Sequence, residues 1–397
     1  MSRNKAFKLL RRIHAGGPLS RAELAEMTGV APSQVTLIVR EALNQGLLVE
    51  RGLAPSEGGR RRILLEVDPA LVTLVGIDIG RAHIRFAVAD FAGNILNYKW
   101  LPTEPHKGRE HVLRTVQVEL DSLLKQFPTI GALGISHSGV IDHRAGKVLF
   151  WPMVDGWNDV PIGQIFADAY GLPTFVEDCV RAMAIAERRF GHAKGLRNFV
   201  LVSVGMGIGS AIFSNGRLHS GRDGLAGELG HTIVVENGNL CSCGNRGCLE
   251  LCSSATAILA RVRSELEQGV GSSLTAEVGG DLNKLSVELI VAAAKKHDRL
   301  SERVLSEAGM HLGTALATVV NLLNPEMVIL AGMIPQVGHE ILLGPLLYNL
   351  RQRAFPHGVR DLPVVVSNFG EEAAALGMVL IAAKSVLKTR CRALEAA

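Results

Sequence analysis

The sequence predicts an α/β protein that carries a small winged helical head at its N-terminus, and three observations predict it. The first 66 residues hold short helical patterns and eleven Lys or Arg against six Glu. From Leu71 the pattern becomes Leu71-Val72-Thr73-Leu74-Val75-Gly76-Ile77-Asp78-Ile79-Gly80, apolar enough for a strand buried on both faces. A second opening of the same kind, Phe199-Val200-Leu201-Val202-Ser203-Val204 running into Gly205-Met206-Gly207-Ile208-Gly209, implies two related halves in the body. No shorter repeat or low-complexity tract interrupts them.

In the head, Phe7, Leu10 and Ile13 at helical spacing predict a first helix over 4–15. Ser20 and Glu23 form an S-x-x-E capping box, so a second helix starts there, with Leu24 and Met27 facing inward. Gly29 supplies a tight turn, and Pro32 suits the first position of a third helix running to about Asn44. Val35, Ile38, Val39 and Ala42 make its apolar stripe, which leaves Ser33, Gln34, Thr36, Leu37 and Arg40 on the opposite face. Leu47 to Glu50 reads as a strand, 52–59 as a loop, and Arg60-Arg61-Arg62 leads into a second strand at 63–67. This layout is that of a winged helix-turn-helix. Its third helix would read base edges in the major groove, while Arg60, Arg61 and Arg62 would grip phosphate or a minor groove. The same residues would also serve an internal helix-turn-helix with a solvated strand edge. Agreement of cap, turn, stripe, wing and charge favours a double-stranded DNA partner.

The body continues with strands at 85–90 and 94–100 and a helix from Arg109 to Gln126, the opening of a layered α/β domain. At 397 residues and 47% hydrophobic content the chain exceeds one compact core. Its net charge of +4 is unevenly placed: the head carries an excess of five positive charges, so the remaining residues sum to minus one. Six cysteines without a disulfide-dense pattern, no secretory signal and no long apolar segment predict a cytoplasmic protein that does not enter a membrane.

One short glycine-rich stretch carries the most specific chemistry. His231, Cys241, Cys243 and Cys248 supply one imidazole and three thiolates, the ligand set of a closed tetrahedral structural Zn2+ site. Gly244 and Gly247 let the backbone turn sharply between ligands. The competing reading is three buried thiols and a satisfied core histidine.

Gly227-Glu228-Leu229-Gly230-His231, the cysteine run ending Gly247-Cys248-Leu249-Glu250, the Asn321–Glu326 segment leading into Val328-Ile329-Leu330-Ala331-Gly332, and Gly370-Glu371-Glu372-Ala373-Ala374-Ala375-Leu376-Gly377 together resemble the ROK family of repressors, open reading frames and sugar kinases. The resemblance covers nearly the whole chain, including the winged head of the repressor members. It implies a two-lobed actin or hexokinase type (ribonuclease H-like) ATPase fold and a structural zinc whose loop aims Glu228, His231 and Glu250 at sugar hydroxyls. Gly139 and Asp178 complete the implied sugar site. Paired carboxylates and an imidazole suit vicinal hydroxyls, so such a site selects polyols over apolar ligands.

The chain departs from the kinase members where phosphoryl transfer happens. The resemblance places Asp178-Cys179 on the family's Asn-Asp pair, so the catalytic base position holds a thiol, with Ala186-Glu187 and Phe190-Gly191 keeping the register. A neutral thiol is a poor replacement for a carboxylate base. The family's Asp-x-Gly-Gly-Thr-Lys loop is Asp78-Ile79-Gly80-Arg81-Ala82-His83 here, and Val204 and Met206 replace the threonines of the second loop. Because phosphoryl transfer rests on positioning and charge stabilisation, these losses together should abolish it.

The resulting expectation is a sugar-responsive transcriptional regulator, a repressor, with no catalytic residues. Its head spans 1–68 and its kinase-like body 69–397, with a first lobe of about 69–178 plus a C-terminal helix at 371–390 and a second lobe of about 179–370. A sugar or sugar phosphate binds the interlobe cleft, and a homodimer or homotetramer meets a two-fold operator. The alternatives are an ATP-dependent sugar kinase with a DNA-binding head, or a body that answers to a protein partner.

Overall fold

The computed structural model describes residues 5–54 and 61–396. By its contacts the chain divides into two units, Met1–Arg189 with Glu372–Ala397, and Phe190–Glu371.

The first unit begins with helix α1 (Lys5–Gly16), strand β1 (Leu19–Ser20), α2 (Arg21–Thr28), α3 (Pro32–Asn44), β2 (Leu48–Leu53) and β3 (Ile63–Val67), with a small antiparallel sheet in the order β1-β3-β2. The capping box forms: the Glu23 N–H donates to Ser20 Oγ at 3.3 Å, and the Ser20 N–H donates to the Glu23 carboxylate at 2.7 Å. Gly29 closes α2 in the left-handed region at φ 65°, and Val35, Ile38, Val39 and Ala42 are the buried face of α3. Met27 departs from expectation and is 48% exposed. In this eight-residue helix the inward stripe is Leu24 and Thr28, four residues apart, and Met27 falls outside it.

Strands β4 (Thr73–Ile79), β5 (His83–Ala89) and β6 (Ile95–Pro102) follow, then α4 (Arg109–Gln126) and β7 (Ile130–His137). A three-stranded antiparallel sheet of β8 (Val140–Asp142), β9 (Lys147–Phe150) and β10 (Asn158–Val160) precedes α5 (Ile162–Tyr170), β11 (Thr174–Asp178) and α6 (Cys179–Phe190). The main sheet has the order β11-β7-β4-β5-β6, parallel from β4 to β11 and antiparallel from β4 to β6. Its two-residue alternation sorts the core. Val75, Ile77, Phe86 and Val88 pack with Val112, Val116 and Leu120 of α4. Leu74, Ala87 and Ala89 belong instead to a cluster with Val379, Ala382 and Leu387. The strand glycine Gly76 is needed here, since a Cβ would lie 1.9 Å from the Ala375 carbonyl oxygen. That second cluster also includes Leu9, Leu10 and Ile13 of α1, so head and sheet share one apolar core.

The second unit holds β12 (Phe199–Val204), β13 (Ile208–Ser214) and β14 (Arg217–Leu218), then the short α7 (Glu250–Ser253), α8 (Ala255–Glu267), α9 (Leu274–Glu277), α10 (Val287–Lys295) and the long α11 (Arg299–Leu323). After β15 (Met327–Ala331) come α12 (Met333–Arg353), α13 (Pro356–Val359) and β16 (Val364–Val366). Its sheet runs β14-β13-β12-β15-β16, antiparallel then parallel, the same order as in the first unit. The two related halves are therefore present, each built on an antiparallel meander extended by two parallel strands. The chain closes with α14 (Ala373–Ala396), which returns to the first unit. Among the described residues no helix is long and apolar enough to cross a membrane.

Candidate functional site

In the first unit the parallel strands β4, β7 and β11 end side by side, and their C-terminal ends are where α/β sheets hold ligands. Register places His137 beside Ile79 on one flank and Asp178 on the other. Asp78 is buried and accepts from Ser136 Oγ at 2.8 Å and from Arg85 at 3.2 Å. Asp178 caps α6, accepting the Arg181 N–H at 2.9 Å, which sets its carboxylate at a helix N-terminus. Gly139 lies in the turn just past β7, and its N–H donates to His137 Nδ1 at 2.9 Å. Gly139 and Asp178, predicted from separate stretches, are thus carried by the ends of neighbouring strands. Burial first, then Asp178 and Asp78, push the Cys179 thiol well above its ordinary value, so it stays neutral. A separate surface hollow of about 430 Å³, lined in part by Arg109, Arg114, Asn158 and Asp159, contains none of the predicted residues.

The second unit assembles the other three. His231 ends a single 3-10 turn at Leu229–His231, and Glu250 opens α7. Burial raises the Glu228 carboxyl above the usual range; His231 opposes that rise, and Glu250 adds to it. Glu250 accepts the Ile208 N–H at 2.8 Å, which ties it to the glycine loop after β12. That backbone donor was not legible in the sequence, nor was Ser136, whose only signal was its place near the end of an apolar strand.

The imidazole of His231 and the sulfurs of Cys241, Cys243 and Cys248 all lie within 4.8 Å of one another and could hold a metal ion. His231 Nδ1 is 3.6 Å from the Cys241 sulfur, and the Cys243 and Cys248 sulfurs are 3.6 Å apart. Gly247 makes the convergence possible. Its φ is 74°, and a Cβ would meet the Val235 carbonyl oxygen at 1.7 Å. His231 thus turns Nδ1 toward the Cys241 sulfur.

In the head, Ser33, Thr36, Leu37 and Arg40 are exposed along α3, and Gln34 is half-buried, accepting from Lys5 Nζ at 2.8 Å. Arg61 and Arg62 are exposed just before β3, whereas Arg60 lies outside the described residues.

A winged head joined to a duplicated α/β body, with an imidazole and three thiols beside paired carboxylates, defines a regulator-like architecture on a sugar-kinase-type fold. The chain belongs to the ROK family, whose sequence profile matches residues 74–385. It is 29% identical over 373 residues to the xylose repressor of Caldicellulosiruptor bescii, a match covering 93% of this chain and 92% of that protein. It is 31% identical over 376 residues to the DNA-binding transcriptional dual regulator NagC of Escherichia coli K12, covering 94% and 90%. The crystal structure of a ROK family transcriptional regulator, a homolog of the E. coli MLC protein, superposes with a TM-score of 0.84 at 28% identity over 99% of both chains.

Proposed function

We propose that this chain is a cytoplasmic, sugar-responsive DNA-binding repressor of carbohydrate genes, whose body binds its effector without phosphorylating it. The observation that carries the reading is the extent of the likeness. The family profile begins at residue 74, yet similarity to a ROK transcriptional regulator extends over 99% of the chain and so includes the winged head. Residues 1–68 act as the DNA-binding head and 69–397 as the sensor body.

In this reading Ser33, Gln34, Thr36, Leu37 and Arg40 read bases, and Arg60, Arg61 and Arg62 anchor phosphates. Gly139, Asp178, Glu228, His231 and Glu250 hold the sugar. Zinc is the metal that fits the thiol cluster. Tetrahedral Zn–S and Zn–N bonds separate ligand atoms by about 3.6–3.8 Å, and two of the spacings here are 3.6 Å. His231, Cys241, Cys243 and Cys248 would hold it, and the ion would brace the loop between Glu228 and Glu250. The neutral thiol at Cys179 and the altered loops at Asp78–His83 and Val204–Ile208 support the loss of phosphoryl transfer.

The effector must bind one state of the body better than the other, and a hundredfold loss of DNA affinity corresponds to about 2.7 kcal/mol of coupling. A single reader helix per chain fits a homodimer or homotetramer on a two-fold operator. The test uses a DNA site selected in vitro by the purified protein and a panel of pentoses, hexoses, amino sugars and their phosphates. At least one must raise the melting temperature and release the DNA. A panel with no such sugar, alongside intact DNA binding, would point to a protein partner instead.

A further inference from the structure

Four buried polar side-chain atoms without a hydrogen-bond partner among the described residues gather around one turn: His137 Nε2, Ser138 Oγ, Trp151 Nε1 and Trp157 Nε1. They have a common organisation. Because His137 Nδ1 accepts the Gly139 N–H, the ring proton sits on Nε2. His137 meets Trp151 edge-on, with centroids 4.5 Å apart at 79°, and Trp151 meets Trp157 in the same way at 5.1 Å and 85°. Trp157 in turn lies 5.2 Å from His137. The three rings thus pack against one another as a closed aromatic block that encloses their three N–H groups. The set is sealed, since His137, Trp151 and Trp157 are almost wholly buried.

The Gly139 turn is clamped onto this block. A Cβ at Gly139 would lie 2.6 Å from the Phe150 carbonyl oxygen and 3.1 Å from both His137 Nδ1 and Trp151 Cβ. On its other flank His137 is in register with Asp178.

We propose that His137 is a positioning residue of the effector site: its Nδ1 fixes the Gly139 turn, Trp151 and Trp157 fix His137, and the sugar therefore meets a turn of one set shape. The proposal rests on the reading that Gly139 borders the sugar. Burial depresses His137 to about 3, so its acceptor stays available throughout the neutral range.

The test compares three variants of the full zinc-loaded chain. His137→Asn puts an amide oxygen near the place of Nδ1; His137→Leu has no acceptor; His137→Gln carries its amide one bond too far out. Residue-resolved hydrogen exchange should show the Gly139 amide exchanging at least tenfold faster in the Leu and Gln variants and near the wild-type rate in the Asn variant. Affinity for the sugar that gives the largest wild-type thermal shift should fall at least tenfold in Leu and Gln and recover in Asn. If the Leu variant does not fold, the Gln and Asn pair decides. Unchanged Gly139 exchange in Gln overturns the proposal, as does a freed Gly139 with unaltered sugar affinity. A wild-type protein that binds no sugar in the panel defeats the proposed function instead, and the Gly139 exchange then decides the positioning claim alone.

Discussion

The two five-stranded sheets share one strand order but differ in what hangs on their strand ends. In the first unit the ends of β4, β7 and β11 bring together Asp78, His137 and Asp178, and one face of the sheet is bound to α14 and the head helix α1. In the second, the long connection from β14 to α7 carries His231 and the three cysteines, while the helices α8 and α10–α12 supply a core of its own. The repeated part is the scaffold, and the divided part is the chemistry. One sheet shares an apolar core with the winged head, and the other is followed by the connection that carries Glu228 and ends at Glu250.

The comparison breaks most severely at the metal loop. Cys243→Ser should reduce bound zinc from about one per chain to well below it and weaken the sugar response, because Glu250 loses the brace on its loop. Elemental analysis alongside DNA-release curves checks this, and normal induction by a zinc-free variant contradicts it. Next is the joint between head and sheet. Leu10→Ala deletes a side chain buried in the core shared by α1 and α14, and should cost about 2–5 kcal/mol of unfolding free energy by denaturant titration.

The same joint should respond to acid. His14 on α1 is buried, lies 3.0 Å from the Phe91 carbonyl oxygen and is depressed by burial to about 4. The unfolded chain takes up this proton below about 6.5 while the folded chain does not until about 4, so stability falls as pH drops through that window. The full shift corresponds to about 3 kcal/mol, an order-of-magnitude figure. Replacing His14 with Gln, whose amide can still donate to Phe91, should flatten that slope in denaturation measured from pH 7 to 4. The smallest expected effect sharpens the head itself. Arg61→Ala should weaken binding to all sequences and lower the salt slope by about one, whereas Gln34→Ala should alter sequence preference. Equal behaviour of the two would remove the division into anchor and reader.

Local signals were legible in the sequence and long-range ones were not. The helix at Arg109–Gln126, the Ser20–Glu23 cap and the thiol cluster all arise from spacings within a few residues, and each appears in the structure. The burial of Leu9, Leu10 and Ile13 against Val379 and Leu387 joins residues from opposite ends of the chain, and no periodicity announces such a pairing. Met27 failed because a two-turn helix has too few positions for its apolar period to choose among neighbours. Gly139 and Asp178 came from family likeness; what brings them together is the parallel register of β7 and β11, which neither segment reveals alone.

The most direct test incubates the purified, zinc-loaded chain with its selected DNA, ATP, Mg2+ and the effector sugar, and follows DNA release and the sugar's mass in the same sample. The account predicts release of DNA with the sugar recovered unmodified. Accumulation of a phosphorylated sugar over many turnovers would contradict it.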